Sequence, residues 1–152
     1  MKTILVVNGE KYWKDILPAY NVVQKSIQHT SWILKSGKLH VADAESVVQP
    51  DAILWRVGAI KPTELQRTAL NLIELSGVPC VNSPATLKIG YDRLSMLATI
   101  KSLGLPVIDF NVVTKSTHLK NIKMDFPFVV KVGNYHGGYG KVLVEDAQKW
   151  QD

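Results

Sequence analysis

One cysteine, Cys80, is all the thiol chemistry in this chain of 152 residues. No disulfide can close within it, which fits a reducing compartment and gives the cytoplasm as the expected location. No apolar run reaches the length that a bilayer crossing needs, and residues 1–7 are too few for a secretion signal. Histidine is sparse and scattered. His29, His40, His118 and His136 together with one cysteine offer no metal-binding spacing. The net charge is +5, a balance that suits an anionic ligand. There is no run of Lys and Arg of the kind that marks a nucleic-acid tail, so neither nucleic acid nor membrane is expected as a partner. Ser83, Ser95 and Ser102 lack the G-x-S-x-G elbow of a serine hydrolase. Trp13, Trp32, Trp55 and Trp150 are too scattered for a base-stacking platform and read as packing residues.

The two commonest phosphate-loop signatures are missing as well. A Walker A loop needs a glycine five residues ahead of its Gly-Lys pair, and counting back from Gly140-Lys141 reaches Tyr135. The expected first strand, residues 3–7, runs into Asn8-Gly9-Glu10-Lys11. That leaves one glycine where a dinucleotide fingerprint needs G-x-G-x-x-G.

What is present is concentrated in residues 126–141, FPFVVKVGNYHGGYGK. Lys131 stands inside an apolar β-run. Gly137, Gly138 and Gly140 follow, and Lys141 closes the loop and opens a second apolar run. Strand, glycine loop and strand can clamp a polyphosphate, because glycines let backbone N–H groups crowd around phosphate oxygens and lysines add charge. The same letters also suit an ordinary β-hairpin with a long glycine turn and a solvated lysine on its outer face.

The first half alternates β and α. Strands are expected at 3–7, 32–34, 39–41, 51–57 and 78–81, and helices at 15–27 and from Thr63 onward. Pro18 is tolerable only in the first turn of the earlier helix. Thr63-x-x-Gln66 is a capping box, and Gly77 supplies the stop. Strands separated by helices predict an α/β fold: a mostly parallel, doubly wound sheet with helices on both faces. A second unit begins near Asn82, where Pro84 breaks the chain. Asp92 is the N-cap of a helix over 93–103, and Gly104 and Pro106 end it. A strand follows at 107–113, then a short helix capped by Thr114 or Ser116 and running through Ile122. Strands at 128–133 and 141–145 flank the glycine loop, and Asp146 caps a final helix that the chain leaves at Asp152. A helix that short is not stable by itself, and this second sheet has no further layer to cover it. A truncated portion of a longer protein is therefore expected. The alternative is a small domain that pairs with a second copy.

These segments resemble the ATP-grasp superfamily, in its carboxylate–amine ligase branch, the ribosomal-protein glutamate ligases and synapsin. Residues 50–62, PDAILWRVGAIKP, are similar to a strand of the pre-ATP-grasp domain that ends in an arginine. Residues 77–97, GVPCVNSPATLKIGYDRLSML, resemble the approach to the nucleotide domain, with Arg93 where lysine is commoner. Residues 127–144, PFVVKVGNYHGGYGKVLV, resemble synapsin's strand, glycine loop and strand. The resemblance implies a pre-ATP-grasp doubly wound parallel sheet over 1–85 and a linking helix region over 86–104. The first, N-terminal α+β subdomain of an ATP-grasp domain, cut short, would then cover 105–152.

The resemblance also implies roles. Lys131 and Arg93 would contact the ATP α- and β-phosphates. The loop His136, Gly137, Gly138, Tyr139 and Gly140, closed by Lys141, would cover the β- and γ-phosphates as a mobile lid. Arg56 would face the substrate side of the cleft, although an ordinary strand-end salt bridge suits it equally. The implied cofactors are ATP and Mg2+, the implied partner a small-molecule or peptide carboxylate, and a homodimer is possible. Acyl-phosphate formation needs magnesium on oxygen ligands. Asp109, Asp125, Glu145, Asp146 and Asp152 form no clustered set, and the resemblance implies metal ligands beyond this chain. No catalytic residue and no metal residue is assigned within it. The functions in competition are an ATP-dependent carboxylate–amine ligase, a synapsin-like nucleotide-binding regulator without turnover, and a small assembly domain.

Overall fold

The computed structural model describes residues 1–58 and 63–150. Residues 59–62 of the segment 50–62, and the last two residues of the expected final helix, lie outside the described residues.

Four strands form the main sheet: β1 (Thr3–Val7), β2 (Asn21–Lys25), β6 (Ala52–Trp55) and β7 (Cys80–Val81). All neighbours are parallel, in the order β2-β1-β6-β7. Leu5, Val6 and Val7 are fully buried, as expected of a central parallel strand covered on both faces. Between β2 and β6 the chain makes a small antiparallel sheet of β3 (Ser31–Lys35), β4 (Lys38–Ala42) and β5 (Val47–Val48). Its first turn is Ser36-Gly37, both at positive φ (51° and 74°), the backbone that a tight hairpin requires.

Helix α2 (Glu64–Ser76) joins the two sheets. Thr63 Oγ1 accepts from the Gln66 N–H, and the Gln66 side chain returns a bond to the Thr63 N–H, so the capping box is complete. Gly77 ends the helix in the left-handed conformation at φ 70°. The buried face, Ala69, Leu70 and Ile73, enters one apolar cluster with Leu5, Val7, Ile53 and Trp55 of the parallel sheet and Leu39 and Val41 of β4.

Several expectations are corrected. Residues 15–27 are not a helix. A single turn, α1 (Trp13–Ile16), stops before Pro18, and Asn21–Lys25 is β2. Proline removes the N–H that a continuing helix would use, and Val22 and Val23 favour the pleated edge beside β1. Pro84 does not break the chain either. It occupies the first turn of α3 (Pro84–Tyr91), capped by Ser83, whose Oγ accepts from the Thr86 N–H. That position costs nothing, because the missing N–H would have had no partner there. Residues 107–113 form no strand. Ile108 and Val112 are more than half exposed, and no neighbouring strand offers a ladder to this alternating stretch.

The remaining elements are α4 (Arg93–Ser102), a 3₁₀ segment over Ser116–Asn121, and the antiparallel pair β8 (Phe128–Lys131) and β9 (Lys141–Val144). Neither Thr114 nor Ser116 caps the 3₁₀ segment, which Lys115 precedes without a side-chain bond. Asp146 caps a turn instead of an assigned helix, its carboxylate accepting from the Lys149 N–H at 2.9 Å. Val130 thus lies in a sheet separate from the one containing Ile4.

Candidate nucleotide-binding site

The register of β8 and β9 sets Lys131 directly opposite Lys141. Opposed residues of an antiparallel pair project from the same face, so both ammonium groups and the side chains of Val129 and Leu143 share one side of the ribbon. That side is open: both lysines are exposed, Val129 by 50% and Leu143 by 52%. The other side carries Phe128, which packs on Phe126 at 5.3 Å and edge-on against Trp150 at 5.2 Å. Neither lysine has a carboxylate at ion-pair distance among the described residues. Like charges set directly opposite one another repel, and an anion between them would reverse the sign of that term.

Above the lysine pair the chain closes into the glycine loop, tied at its neck by the Val132 N–H donating to Gly140 O at 2.8 Å. Gly140 has φ 61°, and a Cβ there would lie 2.8 Å from Val132 O. No other residue fits the neck without shifting backbone. Gly137, Gly138 and Tyr139 are exposed at the tip, where the Tyr139 N–H donates to His136 O at 3.4 Å. His136 is half-buried, and its Nε2 is buried without a hydrogen-bond partner among the described residues. An orphaned donor or acceptor of that kind costs free energy until a ligand satisfies it.

The loop is also held from the side. Arg93 opens α4, and its guanidinium donates to Gly133 O at 2.8 Å and Tyr135 O at 2.5 Å. The Arg93 N–H donates to Asn134 Oδ1 at 3.2 Å, and Asn134 Nδ2 donates to Asp92 Oδ2 at 2.9 Å. Asp92 is the α4 cap as expected, its other oxygen accepting from the Ser95 N–H at 2.7 Å. The Ser95 N–H holds the Asp92 carboxyl below its usual range, and the Ser95 and Asn134 side chains assist. Just before it, Tyr91 is buried in the core of the first sheet, where its hydroxyl accepts from Trp55 Nε1 at 2.7 Å. Three consecutive residues, Tyr91, Asp92 and Arg93, therefore connect the C-terminal end of β6 to the glycine loop. Asn134 was expected within the loop but not as its anchor, since its partners stand about 40 residues away and leave no local signal.

Arg56 follows β6, and the structure places it over the Trp13 ring, 5.7 Å from the centroid. Trp13 Nε1 in turn donates to Glu10 at 3.3 Å. Glu10 is held below the usual carboxylate range, first by a backbone N–H bond, with Trp13, Tyr12 and Arg56 assisting. These residues stand where the loops after β1 and β6 emerge. That is the point of the β2-β1-β6-β7 sheet at which strand order reverses and crevices form. Cys80 has its thiol pushed up to about 11 by burial and is no nucleophile at neutral pH. Among the described residues no three His, Cys, Asp or Glu side chains gather closely enough to hold a metal ion.

Solved structures match this arrangement over nearly its whole length. One is D-alanyl-alanine synthetase A from Vibrio cholerae, at 14% identity and a TM-score of 0.68, over 98% of this chain and 53% of that one. A RimK domain ATP-grasp protein from Sphaerobacter thermophilus matches at 19% identity and 0.72, over 99% and 56%. The D-alanine–D-alanine ligase from Helicobacter pylori matches at 14% and 0.57, over 98% and 60%. The fold is that of the ATP-grasp proteins. The chain spans about half the length of the solved structures it matches. No family model matches the sequence.

Proposed function

We propose that this chain is the N-terminal portion of an ATP-dependent carboxylate–amine ligase and that its glycine loop and lysine pair bind the nucleotide phosphates. The observation that carries the reading is Lys131 opposite Lys141 on one open face beneath a glycine loop, with no carboxylate among the described residues to neutralise either. Lys131 serves the α- and β-phosphates from β8. His136, Gly137, Gly138, Tyr139 and Gly140 cover the terminal phosphates, and Lys141 adds charge from the far strand. Arg56 faces the carboxylate substrate across the crevice at the ends of β1 and β6, pre-oriented by Trp13.

In the complete protein a carboxylate oxygen attacks the γ-phosphorus and ADP leaves. An amine then attacks the acyl carbon and phosphate leaves. Within this chain the contribution is positioning and charge neutralisation. Magnesium and its ligands belong to residues outside it. The division into 1–85, 86–104 and 105–152, a cytoplasmic location and assembly as a homodimer complete the proposal. No helix among the described residues is long and apolar enough to cross a membrane.

ATP titrated into the complete protein tests this. Lys131→Ala is expected to weaken binding by about 1.5–3 kcal/mol, the scale of one charge-assisted hydrogen bond. Unchanged affinity would overturn the site. The likeness of residues 127–144 to synapsin favours a second reading, nucleotide binding without turnover. Release of ADP that depends on an added carboxylate and amine decides for the ligase.

A further inference from the structure

We propose that Arg93 is a positioning residue that shapes the glycine loop, and that it acts on the nucleotide through the Asn134 and His136 N–H groups it orients. The inference rests on the nucleotide-loop reading above, but its first test needs no nucleotide.

The guanidinium spends its fork on two carbonyls of the loop, Gly133 O and Tyr135 O. A trans peptide is planar, with its C=O and N–H pointing in opposite directions. Drawing the carbonyls of Gly133 and Tyr135 toward α4 therefore turns the N–H groups of Asn134 and His136 the other way. Neither N–H donates to an acceptor among the described residues. Two N–H donors turned to the same side of the loop, two residues apart, can converge on one anion. The brace behind it is stiff. The Arg93 N–H and Asp92 carboxylate grip the Asn134 side chain, and Tyr91 fixes the same turn to the buried end of β6. A lysine could not take this role, because an ammonium on a flexible stem lacks the planar fork that bridges two carbonyls.

The measurement is hydrogen exchange of the Val132 and Tyr139 N–H groups of the ligand-free protein, which the loop bonds to Gly140 O and His136 O, beside ATP affinity measured across a series of salt concentrations. Arg93→Lys and Asn134→Ala are both expected to speed exchange in the loop by about tenfold or more, while peptides from β1 and α2 keep their protection. Asn134→Ala removes no charge, so it is expected to weaken ATP binding without changing its salt dependence. Loop exchange as slow in Arg93→Lys as in the parent protein would overturn the proposal. So would a direct phosphate contact, seen as a shallower salt dependence in Arg93→Ala with an unaltered loop. If the parent protein binds no ATP, the nucleotide reading fails, and the exchange result still decides whether Arg93 is the strut.

Discussion

Lys25 is a charged side chain in a place where charge is costly. Its side chain is 3% exposed, and its ammonium meets Asp43 at 2.5 Å and Ser46 Oγ at 3.0 Å. The pair pins β2 of the parallel sheet to the end of β4. The Lys25 bond, followed by the Ser46 and Glu45 N–H groups, brings the Asp43 carboxyl from 3.8 down to about 2. A carboxyl depressed on folding contributes stability above its free value, and that stability drains as pH falls toward the folded one. The folded state is therefore expected to weaken as pH drops from about 4 to about 2, read as a falling urea midpoint. Asp43→Asn should be less stable at neutral pH, because it leaves a buried ammonium short of its counter-charge, and flatter across that acid window. Equal slopes in variant and parent would show that Asp43 does not govern it. Gly140 sets a second limit at this scale. Gly140→Ala combines a positive φ with a 2.8 Å approach to Val132 O, and is expected to destabilise the hairpin by about 1–3 kcal/mol in thermal or urea unfolding. The strand, glycine loop and strand were legible in single letters: lysines inside apolar runs and glycines in a cluster. The bonds of Arg93 were not, since they run to carbonyls 40 and 42 residues away.

Among the described helices, α2 buries the most apolar side chains. Ile73 and Leu70 are fully buried between the parallel sheet and the β4 side, so Ile73→Ala is expected to cost about 2–5 kcal/mol through lost contacts and a cavity. Thr63→Ala should cost about 1 kcal/mol, because it strands the Gln66 N–H while leaving the buried face intact. Denaturant midpoints in which the cap variant is the worse of the two would contradict this ranking. Helix α2 was legible because its caps, its periodicity and its left-handed Gly77 all agree. Residues 15–27 and 107–113 failed for opposite reasons. In the first, an apolar spacing fit for a helix was overruled by Pro18 and by the vacant edge of β1. In the second, an alternation fit for a strand had no partner to pair with. Periodicity reports which face wants burial; it does not report whether another element stands there.

At the scale of the molecule, burial is uneven. Of the buried hydrophobic side chains among the described residues, Val144 alone lies beyond Tyr91. Leu105, Ile108, Val112, Val129 and Leu143 are each at least half exposed. Local opening costs little where few apolar contacts are lost, so the two regions should differ in protection. In dilute solution, amides of β1, β6 and α2 are expected to exchange slowly, and those of β8 and β9 faster by several powers of ten. The proposed homodimer adds a concentration dependence to this gradient. Pairing through the side opposite the lysines, where Val142 is 52% exposed, would bury that side and leave the lysine face open, and protection of β8 and β9 would then rise with protein concentration while β1 stays unchanged. Sedimentation over the same range should show the matching gain in mass. Protection of β8 equal to that of β1 at every concentration, in a strict monomer, would mean that the small sheet is stabilised within one chain. The homodimer would then lose its physical motive.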